Sequence, residues 1–74
     1  MMARPSGRPS KEDVREAAKA ECHRRGWPWV EPVHVQRRLR SWHVLTNAHY
    51  IGGNVSISVD AKTGEVSTAV FYPR

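Results

Sequence analysis

The fold is decided by residues 52–72, GGNVSISVDAKTGEVSTAVFY, whose pattern predicts a β-hairpin. Val55, Ile57 and Val59 alternate with polar residues, which is the period-two pattern of a strand buried on one face. The segment 60–64, DAKTG, supplies the turn, because an Asp side chain can accept backbone N–H bonds and a glycine can take positive φ. Two strands joined by a short turn are therefore expected at the C-terminal end.

The register of this hairpin is predicted by pairing Asp60 with Glu65. Side chains alternate across a strand, so the paired residues of one face can be enumerated. The expected core face carries five aliphatic residues and one threonine: Val55, Ile57, Val59, Val66, Thr68 and Val70. The opposite face then carries polar and small residues, so one face requires a core and the other tolerates water.

Length and composition indicate one small domain. The chain has 74 residues, a net charge of +5 and a single cysteine, and a chain this short buries only a small core. Cys22 alone cannot form an internal disulfide and favours a reducing compartment. No run is long or apolar enough for a membrane span, and the N-terminus lacks the apolar core of a signal peptide. We therefore expect a cytoplasmic protein with no membrane partner.

The N-terminal third predicts an arm followed by a helix. Residues 1–9 are rich in Arg, Pro and Gly, so we expect a disordered basic arm before a single domain over residues 10–74. Ser10 and Asp13 have capping-box spacing, and Gly26 is suited to a C-cap. The helix predicted over residues 11–25 has a narrow apolar stripe of small residues: Val14, Ala17, Ala18 and Cys22.

The middle of the chain predicts two more strands, over residues 30–38 and 41–50. A two-residue loop at Gly52-Gly53 would pair Ile51 with Asn54. This pairing places four further side chains in the core: Trp42, Val44, Ala48 and Tyr50. The predicted fold is α+β, with one N-terminal helix packed on a three- to four-stranded antiparallel meander in the order α-β-β-β-β.

Three features together carry a family resemblance: the alanine-rich helix, the strand start at residues 41–44, SWHV, and the hairpin at residues 59–66, VDAKTGEV. Over roughly residues 11–72 the chain resembles PepSY-type domains and the small NTF2-like, cystatin-related immunity proteins. The resemblance implies binding or inhibition of another protein, with no catalytic residues to transfer. The lack of an export signal favours the cytoplasmic, immunity-like version.

The leading functional hypothesis is a non-enzymatic module that binds another protein through the open sheet face or a free sheet edge. That module would be a monomer or a homodimer formed through a sheet edge. The face away from the helix is expected to carry eight polar side chains and one leucine, all available to a partner: His34, Gln36, Arg38, His43, Leu45, Asn47, His49, Ser56 and Ser58.

The alternative hypothesis is nucleic-acid binding. The cluster over residues 24–40 contains Arg24, Arg25, Arg37, Arg38 and Arg40, with Trp27 and Trp29 between them. Interleaved cations and aromatic rings can hold phosphates and stack bases. The N-terminal arm would contribute Gly7-Arg8-Pro9, which is similar to arms that enter a minor groove.

Catalytic, metal and cofactor sites are not expected. His34, His43 and His49 have the spacing of no compact metal motif, and the last two would lie about 20 Å apart along one strand. Asp60 and Glu65 flank a turn, where carboxylates usually serve as caps. The candidate partner-binding residues are therefore Arg37, Arg38, Arg40, His34, His43, His49, Trp27 and Trp29.

Overall fold

The computed structural model describes residues 8–73, which form one helix followed by four strands. The elements are α1 (Lys11–Arg25), β1 (His34–Arg37), β2 (Ser41–Leu45), β3 (Asn54–Asp60) and β4 (Val66–Tyr72). The strands form one antiparallel sheet in the order β1-β2-β3-β4. The predicted α+β fold and its α-β-β-β-β order are confirmed. The arm expected over residues 1–9 falls mostly on residues 1–7, outside the described part.

The helix begins and ends where the capping residues predict. The Ser10 side chain accepts from the Asp13 backbone N–H, and the Asp13 carboxylate accepts from the Ser10 N–H at 2.9 Å. Gly26 ends the helix in the left-handed conformation, which glycine adopts at low cost. The capped helix lies across one face of the sheet.

The core lies between α1 and that face of the sheet. Its fully buried members are small and aliphatic: Val14, Ala18, Cys22, Val44, Val55, Ile57 and Val59. Burial raises the pKa of the Cys22 thiol, and the neighbouring Glu21 carboxylate adds to the effect. Cys22 therefore serves as a buried apolar side chain, as predicted.

The β3–β4 hairpin follows the predicted register only at its turn. The Asp60 N–H donates to the Glu65 carbonyl at 2.8 Å, and Val59 pairs with Val66. Beyond that pair a β-bulge at Ser67 shifts the register by one residue. A shift of one residue exchanges the two faces of a strand.

The core side of β4 therefore differs from the prediction. Ala69 and Phe71 are half-buried toward the helix, whereas Thr68 and Val70 are exposed on the other face. The prediction that Thr68 and Val70 enter the core is wrong. The physical reason is Phe71, because an aromatic ring buries more apolar surface than a valine.

The β2–β3 connection also differs from the prediction. Trp42 pairs with Val59 and Val44 with Ile57, so residues 46–53 form a longer loop in place of the two-residue turn. The shift is an even number of residues, which keeps Trp42 and Val44 on the core face. The expectation for Tyr50 is wrong, because its side chain is exposed.

The loop closes around Asn54, which is why β2 ends at Leu45. The Asn54 amide NH₂ lies within hydrogen-bond distance of the carbonyl oxygens of Thr46, Asn47 and Tyr50, and its Oδ1 accepts from the Gly52 N–H. The backbone N–H of Asn47 donates to the Val30 carbonyl. These bonds replace the ladder that a longer strand would have made.

Candidate functional site

The open face of the sheet contains two rows of side chains that cross all four strands. The cross-strand pairs place four residues in each row: His34, Leu45, Ser56 and Val70 in the first, and Gln36, His43, Ser58 and Thr68 in the second. The structure thus brings His34 and His43 to this face, as predicted. Arg38 extends it, because its guanidinium reaches Gln36.

Two residues expected on the open face lie elsewhere. Asn47 is buried in the loop between β2 and β3, and His49 is exposed in the same loop. Both predictions depended on β2 continuing to Tyr50, so they fail with the shorter strand. The face is therefore confined to the four strands.

His43 is the polar centre of this face. Its Nε2 lies 2.8 Å from the Ser56 hydroxyl across the β2–β3 pair. Burial lowers the pKa of the His43 imidazole, and the positive charge of Arg38 lowers it further. His43 is therefore a neutral hydrogen-bonding group near pH 7. Within residues 8–73 no group of three His, Cys, Asp or Glu side chains is placed to hold a metal ion.

The outer edge of β4 is the feature that sequence reasoning underestimated. Val66–Tyr72 is seven residues long and contains neither a charged residue nor a proline. The Tyr72 carbonyl accepts from the Gly53 N–H, so beyond the bulge the backbone groups that face β3 are those of Thr68, Val70 and Tyr72 in the antiparallel alternation. The N–H and C=O groups of Ala69 and Phe71 consequently point away from the sheet. No backbone hydrogen bond satisfies them from another part of the described chain.

Apolar side chains accompany this edge on the open face. Val70 is 43% exposed and Tyr72 is 51% exposed. They are neighbours on one face of β4, two residues apart. Natural proteins usually protect long edge strands with charges, prolines or a covering segment. The seven residues of β4 include no charge and no proline, and no further strand of the described residues pairs with its outer edge.

The opposite edge of the sheet is different. β1 has only four residues, and one of them is Arg37. A groove of about 540 Å³ beside it is lined by Lys11, Glu12 and Arg15 from the helix. A short strand bordered by charged side chains is a poor template for strand addition, so the two edges are not equivalent.

The predicted tryptophans lie at the end of the molecule where the helix terminates. The Arg25 guanidinium lies 5.0 Å from the centre of the Trp27 ring, and the Arg15 guanidinium lies 5.7 Å from that of Trp29. Trp27 also packs against Phe71. Both rings are half-buried, so they stabilise the edge of the core and are poorly placed to stack bases.

The arginine cluster predicted over residues 24–40 is divided by the fold. Arg24 and Arg25 form ion pairs with Glu21 near the helix C-terminus, and hydrogen bonds from these arginines, Arg25 first, lower the pKa of the Glu21 carboxyl. Three other arginines of the cluster lie at the β1–β2 turn: Arg37, Arg38 and Arg40.

That turn lies beside the helix N-terminus. Pro9 is next to Gly64 of the β3–β4 turn, and the Ala61 N–H joins that turn to the Arg40 carbonyl. The helix between the two ends has 15 residues, a length of about 22 Å. The cluster therefore forms two separate basic groups.

Comparison with family models, with curated proteins and with solved structures finds no match to this chain. The helix of the described part is neither long nor apolar enough to cross a membrane.

Proposed function

We propose that this protein is a small non-enzymatic module that binds another protein through the free edge of β4 and the adjoining open face. The observation that carries the proposal is the uncharged seven-residue edge strand with outward-pointing backbone groups at Ala69 and Phe71. Such an edge is a template for a further strand.

Strand addition would use both the backbone and the side chains of β4. Main-chain hydrogen bonds to Ala69 and Phe71 would supply affinity, and alternate side chains would supply specificity. Val70 and Tyr72 are exposed on the open face, where they would contact every second side chain of the added strand. The partner would therefore present an extended segment with apolar residues at alternate positions.

The proposal also follows the resemblance to PepSY-type and NTF2-like, cystatin-related proteins, which implies binding or inhibition of another protein. It includes a cytoplasmic location, which the single buried Cys22 favours. A second copy of the chain could occupy the same edge, with its own β4 antiparallel to the first. A homodimer is thus one form of the proposed interaction.

The test uses a pair of matched variants. Val70 and His34 are exposed at opposite ends of the same row of the open face, one on each edge strand. Val70→Lys places a charge beside the β4 edge, and edge lysines discourage strand addition. His34→Lys places the same charge beside β1 and serves as the control.

Tagged wild-type protein and both variants are used to capture proteins from a lysate of the source cells, and the bound proteins are quantified. Sedimentation velocity over a range of concentrations measures self-association. We expect wild type and His34→Lys to capture a partner or to form a dimer. Val70→Lys should do neither. The proposal would be contradicted if wild type stayed a monomer at all concentrations and if Val70→Lys captured the same proteins as wild type.

A further inference from the structure

Four cationic side chains line one groove at the end of the sheet where the strand turns lie. The groove has a volume of about 350 Å³ and is lined by Arg8, Arg37, Leu39, Arg40, Asp60, Ala61 and Lys62. We call these residues the turn groove. They come from three segments: the residues just before the helix, the β1–β2 turn and the β3–β4 turn.

Hydrogen bonds fasten the β1–β2 turn to the β3–β4 turn and fix the shape of the second. The Ala61 N–H donates to the Arg40 carbonyl at 3.1 Å, which fastens one turn to the other. The Asp60 side chain accepts from the backbone N–H groups of Lys62 and Thr63 at 2.7 and 2.9 Å. The backbone positions of Arg40 and Lys62 relative to each other are therefore set by the fold.

The turn groove has an excess of positive charge. Asp60 supplies its only carboxylate, and the N–H bonds from Thr63 and then Lys62 lower the pKa of that group. Four cations against one anion leave a net charge of +3. Arg40 and Lys62 form no hydrogen bond or ion pair with side chains of the described residues, so both are available to a ligand.

Arg37 is positioned in advance. Its guanidinium donates to the carbonyl oxygens of Arg38 and Leu39 and lies 5.7 Å from the centre of the Trp42 ring. A side chain held in this way loses little entropy when a ligand binds.

We propose that the turn groove binds the phosphate backbone of duplex nucleic acid without reading the bases. Several cations grouped in one groove can contact successive phosphates of a nucleic-acid backbone. No aromatic side chain lines the groove, and the nearby Trp42 ring is covered by Arg37. Single strands are held by stacking on exposed rings, so the chemistry favours a duplex. This site is separate from the proposed β4 partner surface and does not depend on it.

The test compares two double variants of the full chain with equal loss of charge. Arg40→Gln with Lys62→Gln removes the two available cations of the turn groove. Lys19→Gln with Arg24→Gln removes two exposed cations from the C-terminal half of the helix. They line a different pocket, beside Trp27 and Trp29, and Glu21 keeps its ion pair with Arg25. Thermal unfolding verifies that both variants fold.

Binding is measured at two salt concentrations by the fluorescence anisotropy of labelled 20-base-pair DNA and RNA duplexes and of a labelled single strand of the same sequence. Binding to vesicles that contain phosphatidylserine is measured at the same two salt concentrations. We expect wild type to bind a duplex, and its association constant should fall as salt is added. The slope of the logarithm of that constant against the logarithm of the salt concentration should be about −3, because the groove would contact three or four phosphates. In the turn-groove variant the slope should become less negative by about two, and the affinity at low salt should fall at least about tenfold. The helix variant should resemble wild type.

Equal weakening of both variants would show a general charge effect and overturn the proposal. So would the absence of duplex binding at low salt, or tighter binding of the single strand. Preferential binding to the vesicles, abolished by Leu39→Ala at the exposed tip of the turn, would assign the groove to a membrane surface. That result would also overturn the proposal.

Discussion

The Trp27 and Phe71 rings lie 5.9 Å apart between centroids, with an angle of 30° between their planes. This contact joins the segment after the helix to the last strand of the sheet. It exists only because the bulge at Ser67 turns Phe71 toward the helix. The same rotation leaves Val70 and Tyr72 on the open face, so one aromatic contact determines which side chains of β4 are available to a partner.

Phe71→Ala should therefore destabilise the protein more than truncation of its neighbour does. Loss of a half-buried ring should reduce the free energy of unfolding by about 2 kcal/mol. Tyr72→Ala, on the exposed face, should cost less than about 1 kcal/mol. Urea denaturation of the two variants measures both values. Equal losses would contradict the shifted register.

Asn54→Ala should open the β2–β3 loop. The two amide hydrogens of the side chain are shared among three nearby carbonyl oxygens, and its Oδ1 accepts one N–H of that loop. Loss of buried hydrogen-bond partners costs about 2 kcal/mol. Amide exchange at Gly52 should become faster in the variant. The exposed Tyr50 provides a control, because Tyr50→Ala retains the loop bonds to the backbone. An unchanged unfolding free energy in Asn54→Ala would refute this account of the loop.

The open face should make stability depend on pH through His43. Its pKa in the folded protein is lowered, so the unfolded chain binds the proton more tightly. The resulting destabilisation is absent above the unfolded pKa of about 6.5. It develops as pH falls from there through the folded pKa.

Comparison of the free energy of unfolding at pH 7.5 and pH 5 measures this loss. His43→Gln should reduce the loss, and His49→Gln, in the exposed loop, should retain it. An NMR titration of the His43 ring gives the folded pKa directly. A His43 ring that titrates above pH 6.5 would reverse the predicted sign.

The sequence predicts the helix, the turn at Asp60–Gly64 and the core faces of β2 and β3. Those faces are correct even though the β2–β3 pairing differs from the expected one, because an even shift preserves the alternation. The single-residue bulge in β4 has the opposite effect. Its small residues, Ser67 to Ala69, fit either face, and only the packing of Phe71 against Trp27 decides between them.

The candidate sites were harder to predict for the same reason. The site at the β4 edge depends on two features, the order of the strands and the absence of charge from Val66 to Tyr72. The absence of charge is directly visible in the sequence, but the strand order is not. The turn groove could not, because Arg8 and Lys62 are far apart along the chain and meet only through the fold. Arg24 and Arg37 are close in sequence and are therefore predicted to belong to one cluster. In the structure they lie near opposite ends of the helix.

The central claim is that β4 accepts a partner strand, and backbone amide hydrogen exchange tests it most directly. In the free chain, the Ala69 and Phe71 amides should exchange faster than those of Thr68 and Val70, which pair with β3. When the chain is saturated with the captured partner, or concentrated enough to dimerise, Ala69 and Phe71 should become protected by at least about tenfold. New protection elsewhere, with no change at Ala69 and Phe71, would contradict the account.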